Sequence, residues 1–419
     1  MESETRAVSP PVAEAATRGS PLNPGSRIAA LDVVRGVALL GILLVNVHLF
    51  RGFGITALLE GEPVEGRDAA DRLVEILTGT FATGTFLGLF SLLFGIGLAL
   101  QLSRSQGGRF GTPRLLVVQR LFWLLLIGYG HRQLAGVDIL FPYAILGLAT
   151  VVLAGPILPP RAAWSRGLGV LGVFLVAILG PIAANLDGLN TSAFVLEERS
   201  ESAQELLGAG GVGDRLEVRA LEAIRSQSGV AFLLQILGWM LAGFWVGTSR
   251  MLQALRGPPR PLLLWGCGAV AAGVLMRLGM PFPIGDPGAL RGPDGVGGAF
   301  GTMGSALLVV GVGAVAAGLS IRAAAAERPF HRLAAVGRMA LTGYLLQSVL
   351  VKSAFLVPGA RDALGSAGSL LLVLAVWGFL LAFCPWWMRR YRFGPMEWVW
   401  RSLTYLTLQP FRQRASVVQ

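Results

Sequence analysis

The sequence predicts an all-α membrane protein, a polytopic transmembrane helical bundle with about ten spans. Of its 419 residues, 53% are hydrophobic and only 14% are charged, whereas a soluble globular protein carries about 25% charged residues. Apolar segments of about 20 residues recur along the chain, and each is long enough to cross a hydrocarbon core as a helix. The short alternating segments of a membrane β-barrel do not occur. The first predicted partner is therefore the lipid bilayer.

Each predicted span is an apolar run bounded by charged, Gly-rich or Pro-rich residues. In chain order the spans are 28–50, 76–100, 115–134, 137–157, 165–185, 229–249, 261–280, 299–321, 333–355 and 366–388. The third and fourth spans are separated by a tight turn at Ala135 and Gly136, which predicts a helical hairpin. No clear pair of broken helices, the mark of many transporters, is predicted.

Arginines between the spans fall in alternate loops, which therefore share one side of the membrane. Arg104 and Arg114 lie between spans two and three, and Arg250 and Arg260 lie between spans six and seven. Loops on the other side are acidic or carry balanced charges. Because short arginine-rich loops stay in the cytosol, both termini are predicted to be cytosolic. The expected location is the cytoplasmic membrane.

The domain organisation follows from the same pattern. Residues 1–26, rich in Pro, Ala, Ser and Glu, predict a disordered cytosolic tail. The transmembrane domain covers residues 27–392 with its longest outer loop at 186–228, and residues 393–419 form a cytosolic C-terminal tail. The net charge of +11 comes from the loop arginines, so nucleic-acid binding is not expected. Cys267 and Cys384 show no metal-ligand spacing, and no metal is expected.

Span one carries polar residues on one helical face. At 100° per residue, Arg35 lies about 60° and Asn46 about 40° from Asp32 around the helix, and Asn46 lies about 21 Å further along it. Asp32 and Arg35, three residues apart, can neutralise each other and fix the packing of the helix. The alternative is that Arg35 meets an anionic ligand that enters from the cytosol, since charges inside a membrane are costly and often functional.

The predicted hairpin brings His131, at the outer end of span three, close to Asp138, at the start of span four. A carboxylate that accepts from one imidazole nitrogen fixes the tautomer and leaves the other nitrogen as a base. His131 is then a candidate general base and Asp138 its orienting partner. The alternative is an interfacial histidine with a structural role only.

Span nine begins at its cytosolic end with Arg338, level with Asp32 and Arg35. Arg338 and Arg35 together can form a two-arginine phosphate clamp, because guanidinium groups suit forked recognition of phosphate. The later polar residues of the span are explained by hydrogen bonds between helices; they are Thr342, Tyr344, Gln347 and Ser348.

The chain resembles the YeiB-like family of bacterial membrane proteins, which is defined by a domain of unknown function. The resemblance covers nearly all of the chain from residue 27, and its motifs occur in order. They are Leu31-Asp32-x-x-Arg35-Gly36 with Asn46, Phe90 to Gly97, Gly128-x-x-His131 with Asp138 and Tyr143, Gly337-Arg338 with Thr342 and Gln347-Ser348, and Phe393-Gly394-Pro395-Met396-Glu397-Trp398. One departure is Gly343, where the family often has asparagine.

The resemblance implies a distant relation to transmembrane acyltransferases such as heparan-α-glucosaminide N-acetyltransferase, which carry an acyl group from cytosolic acyl-CoA to an acceptor on the far side. In that scheme His131 is the base, Asp138 orients it and Asn46 polarises the thioester carbonyl. Asp32, Arg35 and Arg338 lie where the CoA phosphates enter. Acyl-CoA is then a co-substrate and not a tightly bound cofactor, and the acceptor is an outer-side hydroxyl or amine.

Two other functions remain open at this stage. The polar face from Asp32 to Asn46 can instead line the pathway of a transporter for a small solute or anion. A non-catalytic scaffold or sensor is the third hypothesis, although it assigns no function to the intramembrane charges. The sequence is compatible with a monomer or an oligomer.

Overall fold

A computed structural model describes residues 29–51, 69–104, 113–136, 138–154, 162–179, 230–278, 296–323, 328–358 and 364–413. The predicted N-terminal tail and the predicted outer loop at 186–228 lie outside these described residues. The first part of the predicted C-terminal tail, to residue 413, lies within them.

The described residues form helices joined by short connections, and an isolated β-bridge links Tyr391 to Arg412. The all-α prediction is confirmed. The α-helices are α1 Ala29–Arg51, α2 Ala69–Leu77, α3 Thr85–Arg104, α4 Pro113–Ala135, α5 Leu140–Leu153, α6 Ala162–Phe174, α7 Val230–Thr248, α8 Pro259–Arg277, α9 Val296–Arg322, α10 Arg328–Arg338, α11 Ala340–Phe355, α12 Ser366–Arg390 and α13 Pro395–Tyr405. Two π-helical segments, Thr78–Ala82 and Leu175–Leu179, and a 3₁₀ segment, Arg250–Arg256, extend neighbouring helices.

Several of these helices are long and apolar enough to cross a membrane. Within the described residues, 5 helices meet that test by length and composition, and a bent pair raises the number to 6. Shorter apolar helices at Leu140–Leu153, Trp164–Leu179 and Phe232–Thr248 add to them. Every predicted span coincides with at least one helix, so the chain is a helical membrane protein. The number of ten spans and the cytosolic position of the termini stay predictions.

The predicted ninth span at 333–355 is not one continuous helix. The chain bends by 88° between Phe330–Arg338 and Ala340–Phe355, and Met339 at the bend has non-helical backbone angles, φ −108° and ψ 35°. This is one bent helix pair, and it does not make up the two broken spans that many transporters carry. Arg338 ends α10 instead of beginning a span. No proline marks the break. The groups that stabilise it come from distant parts of the chain.

Helix α1 lies at the centre of the bundle. In its most apolar stretch 72% of the residues are buried, compared with 11% for α8, so α8 is peripheral and α1 contacts other helices on most sides. Glycines permit its closest crossing. A Cβ at Gly36 would overlap the carbonyl oxygen of Leu333, and a Cβ at Gly337 would overlap that of Asp32. The backbones of α1 and α10 are therefore in direct contact.

The motif from Phe90 to Gly97 also serves close packing. A Cβ at Gly95 would overlap the carbonyl oxygen of Met240 on α7, and a Cβ at Gly243 would overlap that of Leu92 on α3. Small residues at both positions let α3 and α7 approach each other through their backbones, as is common in membrane helix pairs.

Candidate functional site

The hairpin of α4 and α5 places His131 against Asp138. His131 Nδ1 lies 2.7 Å from Asp138 Oδ1, and both residues are buried, with Asp138 fully inaccessible. The other carboxylate oxygen, Oδ2, accepts from the backbone N–H of Phe141 at 2.7 Å, in the first turn of α5. The contact predicted from the short turn is present. Its catalytic role stays a prediction.

The two acceptor contacts of Asp138 determine the state of His131. A carboxylate at a helix N-terminus is stabilised by the unpaired N–H groups there. With Asp138 as acceptor, the neutral imidazole carries its proton on Nδ1 and its lone pair on Nε2. His131 Nε2 is buried, and no hydrogen-bond partner for it occurs among the described residues. This nitrogen is therefore oriented and chemically unoccupied.

Gly128 lets α4 and α5 approach closely enough for His131 to contact Asp138. A Cβ at this position would lie 2.5 Å from the backbone nitrogen of Phe141 and 2.9 Å from Asp138 Oδ2. Any larger residue would push the start of α5 away from α4 and lengthen the contact between His131 and Asp138. The motif Gly128-x-x-His131 thus has a local steric reason.

Tyr344 of α11 forms the third side of the site. Its ring centroid lies 5.0 Å from that of His131, with the planes tilted by 55°. Its hydroxyl oxygen accepts from the backbone N–H of Ile139 at 3.2 Å. Tyr344 is almost fully buried, so it holds the hairpin against α11. The sequence pattern had indicated only a hydrogen-bonding role between helices for it.

Asp32 and Arg35 form the ion pair that their spacing predicts. Arg35 Nη1 donates to Asp32 Oδ1 at 3.0 Å, and the Arg35 side chain keeps 31% of its surface exposed against 10% for Asp32. The carboxylate is therefore turned inward, while part of the guanidinium remains accessible. This geometry serves packing and also leaves a donor surface for an anion.

Arg338 lies at the same crossing of α1 and α10, because its neighbour Gly337 touches the backbone of Asp32. Its side chain is half-buried and has interactions of its own. The structure thus brings Asp32, Arg35 and Arg338 to one end of the bundle, as expected. No described contact joins the Arg35 and Arg338 side chains to each other.

Asn46 is buried in the second half of α1. No described hydrogen bond connects it to His131 or to Asp138, so the structure does not bring the three predicted catalytic residues into direct contact. Its predicted role next to the reacting carbonyl is not tested by this geometry.

Glu397 is the site residue that sequence reasoning assigned no task. Its Oε1 accepts from the backbone N–H groups of Leu341 at 2.7 Å and Thr342 at 3.0 Å, and its Oε2 accepts from Thr342 Oγ1 at 2.5 Å. The carboxylate of α13 therefore caps the N-terminus of α11 at the break after Met339. Burial raises the pKa of Glu397, and the hydrogen bonds from Thr342 and Leu341 oppose that rise.

Helix α11 connects the contact of Glu397 with the contact of His131. Thr342, which contacts Glu397, and Tyr344, which packs on His131, are two residues apart, a rise of about 3 Å. The hydrogen bonds to Glu397 therefore position the start of the helix whose Tyr344 packs on His131.

Comparisons with known proteins relate the chain to proteins of unknown function. Residues 246–407 match a family model described as protein of unknown function, DUF418. The chain is 29% identical over 419 aligned positions to the uncharacterized protein YeiB of Escherichia coli (strain K12), covering 93% of this chain and 99% of that protein. It is 27% identical over 431 positions to the uncharacterized protein YxaH of Bacillus subtilis (strain 168), covering 95% and 99%. No solved structure matches it significantly.

Proposed function

We propose, from the premise that the chain belongs to the DUF418 family of unknown function, that it is a membrane-bound acyltransferase. It transfers an acyl group from acyl-CoA to a hydroxyl or amine on the opposite side of the membrane. The observation that carries the proposal is the buried pair of His131 and Asp138, in which Nε2 of the imidazole is left without a partner among the described residues.

The chemistry assigned to this pair is general base catalysis. Nε2 of His131 takes the proton of the acceptor O–H or N–H while the acceptor atom attacks the thioester carbonyl carbon. The C–S bond then breaks, and the CoA thiolate leaves with the proton that His131 returns. Asp138 holds the imidazole in the correct tautomer and stabilises the transient imidazolium. The products are an ester or amide and free CoA.

The donor is assigned to the other end of the bundle. The part-exposed guanidinium of Arg35 and the neighbouring Arg338 suit the phosphates of CoA. Asn46 stays assigned to the thioester carbonyl, whose oxyanion needs a donor in a site from which water is excluded.

The broken pair of α10 and α11 favours a transporter as the second candidate, since unwound helices with free N-termini bind substrate anions in many transporters. In this chain, however, the N-terminus of α11 already holds the carboxylate of Glu397. The position that would attract a transported anion is filled by an anion of the protein itself, and we therefore rank acyl transfer first.

Donor binding is tested by thermal unfolding of the detergent-purified protein with CoA, acetyl-CoA and longer acyl-CoAs. A ligand at a hundredfold excess over its Kd stabilises the folded state by about 2.7 kcal/mol. We expect a saturable rise in Tm that is lost in Arg35→Gln and kept in His131→Ala. Asp32→Asn is the matched control, because it breaks the same ion pair while it keeps the cation.

Catalysis is tested by release of the CoA thiol in lipid nanodiscs with envelope extract as a source of acceptor. Removal of a general base should slow release by about 10²–10⁴-fold in His131→Ala, and Asp138→Asn should slow it as well. His331→Ala, an exposed histidine on α10, should leave it unchanged. Folded protein that neither binds any acyl-CoA nor releases thiol would refute the proposal, and gradient-driven solute uptake would favour the transporter.

A further inference from the structure

The chain that follows α13 returns to the end of α12 and is hydrogen-bonded to it. The backbone N–H of Arg392 donates to the carbonyl oxygen of Phe411 at 3.0 Å. The backbone N–H of Gln413 donates to the carbonyl oxygen of Arg390 at 3.2 Å. Residues 386–413, called the C-terminal unit below, are therefore one folded piece.

Aromatic side chains pack together inside the C-terminal unit. The ring centroid of Tyr391 lies 4.4 Å from that of Trp387 and 4.6 Å from that of Phe411. The centroid of Phe411 lies 5.1 Å from that of Trp398 on α13. The returning segment thus contacts both α12 and α13, so the side chains that it carries are held in defined positions.

The C-terminal unit begins where a membrane-crossing helix ends. Helix α12, Ser366–Arg390, is long and apolar enough to cross a membrane, and its last turn carries Arg389 and Arg390. Charged residues at the end of an apolar span leave the hydrocarbon and lie among the lipid headgroups. The residues that pack on this end of α12 are therefore at the level of the membrane surface.

The charges of the C-terminal unit are almost all positive. Its acidic residue, Glu397, is buried and accepts hydrogen bonds from α11. Its arginines are Arg389, Arg390, Arg392, Arg401 and Arg412. All of them except Arg401 are exposed, and none of these four forms an ion pair with a residue that the structure describes. The surface of the unit therefore presents positive charge that is not neutralised within the described chain.

Two leucines of the same unit are largely exposed. Leu408 keeps 83% of its surface accessible and Leu406 keeps 60%. Leu406 also has a left-handed backbone conformation, φ 50° and ψ 33°, at the C-terminus of α13. Glycine is the usual residue at such a position, because a Cβ is strained there. An apolar surrounding for the side chain gives a strained and exposed leucine a reason to be present.

We propose that the C-terminal unit binds anionic lipid at the membrane surface, with its exposed arginines on lipid phosphates and with Leu406 and Leu408 among the upper acyl chains. Basic side chains attract an anionic membrane surface, and apolar side chains that enter the interface add to the binding. The guanidinium carbon of Arg390 lies 4.7 Å from the ring centroid of Trp386, an exposed tryptophan, and tryptophan is favoured at this depth. The proposal does not depend on acyl transfer.

The experiment titrates phosphatidylglycerol into the full chain in a neutral detergent and follows the Tm. Phosphatidylcholine, inorganic phosphate and polyglutamate are the parallel probes for a neutral lipid, a soluble anion and an acidic protein. Hydrogen exchange of the peptide 403–413 reports whether the lipid acts at the C-terminal unit. We expect phosphatidylglycerol to raise the Tm saturably and to slow this exchange, and we expect no comparable effect from the other probes.

Three variants test the residues. The double change of Arg390→Gln with Arg412→Gln should raise the apparent Kd of phosphatidylglycerol at least tenfold, equivalent to about 1.4 kcal/mol. Leu408→Ser should raise it about threefold or more and should leave the Tm without lipid unchanged, because this side chain is exposed. The matched control is Arg250→Gln with Arg260→Gln, which removes the same charge from two exposed arginines outside the unit and should bind as the native chain does.

The proposal is overturned if phosphatidylglycerol acts no more strongly than phosphatidylcholine, or if it leaves exchange over residues 403–413 unchanged. Stabilisation by polyglutamate or by inorganic phosphate in its place would also overturn it, and would assign the surface to an acidic protein or to a soluble anion. Native affinity in the double arginine variant, or an equal loss in the control, would contradict the role of these arginines. Should the double variant fail to fold, Leu408→Ser and the exchange of the native chain still decide the question.

Discussion

The contact between Glu397 and the start of α11 gives the sharpest test of how the site is held. Replacing Glu397 by Ala removes the acceptor for three donors, the N–H groups of Leu341 and Thr342 and the hydroxyl of Thr342. All of them are buried. The change leaves the N-terminus of α11 without a cap at the 88° break, while the residues that contact His131 remain present.

The expected cost follows from these bonds. Each buried donor that loses its partner costs about 1–3 kcal/mol, and hydrogen bonds that share one carboxylate are not independent. We therefore expect Glu397→Ala to lower the free energy of unfolding by about 3–5 kcal/mol. Glu397→Gln retains one carbonyl oxygen for the two N–H groups. Its loss should be about 1–2 kcal/mol, from the displaced bond to Thr342.

The assay is hydrogen exchange of the peptide that contains the first turn of α11, combined with Tm in detergent. Exchange by local opening accelerates about tenfold for each 1.4 kcal/mol lost, so the amides of Leu341 and Thr342 should exchange about 5- to 30-fold faster in Glu397→Gln and faster still in Glu397→Ala. Asp71→Asn is the matched control. Asp71 Oδ1 accepts from the N–H of Ala367 in the first turn of α12 at 2.8 Å, so Asp71→Asn should leave exchange at Leu341 and Thr342 unchanged.

Unchanged exchange at Leu341 and Thr342 in both Glu397 variants would refute the reasoning. It would mean that the first turn of α11 is stabilised by its packing alone. Faster exchange over all helices at once would also contradict it, since the contact would then support the bundle as a whole and not one helix terminus.

The same carboxyl predicts a pH dependence with a definite sign. Burial is the main cause that raises the pKa of Glu397 above its ordinary value of 4.5, so the folded chain binds this proton more tightly than the unfolded chain. Its contribution to stability is then full below pH 4.5 and is lost as the pH rises through the raised pKa. The difference in Tm between the native chain and Glu397→Gln should accordingly fall with rising pH across that window, and a constant difference would contradict the shift.

Two further predictions concern packing. Gly337→Ala should strongly lower both the Tm and the yield of folded protein, because the new Cβ overlaps a carbonyl oxygen of α1. Gly268→Ala should be neutral, because no atom lies within 4 Å of its Cβ position. Equal effects of the two substitutions would refute the backbone contact. Tyr344→Phe should lower the free energy of unfolding by about 1–2 kcal/mol, because it removes the acceptor of a buried N–H, and it should slow thiol release. Tyr129→Phe, at an exposed tyrosine, should change neither. A native Tm in Tyr344→Phe would contradict the hydrogen bond.

The helical class was predictable because its causes are local. A run of about 20 apolar residues must satisfy its own backbone hydrogen bonds in lipid, and a helix does so within the run. The contact of His131 with Asp138 was predictable for a similar reason. The two residues are seven positions apart across a tight turn, and few conformations of such a turn keep them separate.

The break at Met339 was not predictable from the same information. Its stabilising carboxylate, Glu397, lies 56 positions beyond Leu341 and 55 beyond Thr342, the two residues whose N–H groups it accepts. The segment around the bend contains no proline. A signal was present in the contrast between Arg328–Arg338, which carries charged residues, and the apolar Ala340–Phe355. That contrast indicates two environments, but it does not give the angle between the helices.

The sequence by itself determined the helical membrane class, the ion pair of Asp32 with Arg35 and the orientation of His131 by Asp138, because each depends on residues within one helix or one tight turn. Only the tertiary structure decided that Glu397 caps α11, that Tyr344 covers His131, and that the segment after α13 returns to the end of α12. These depend on how distant helices meet. That arrangement is chosen by the packing of many side chains together, and no local pattern records it.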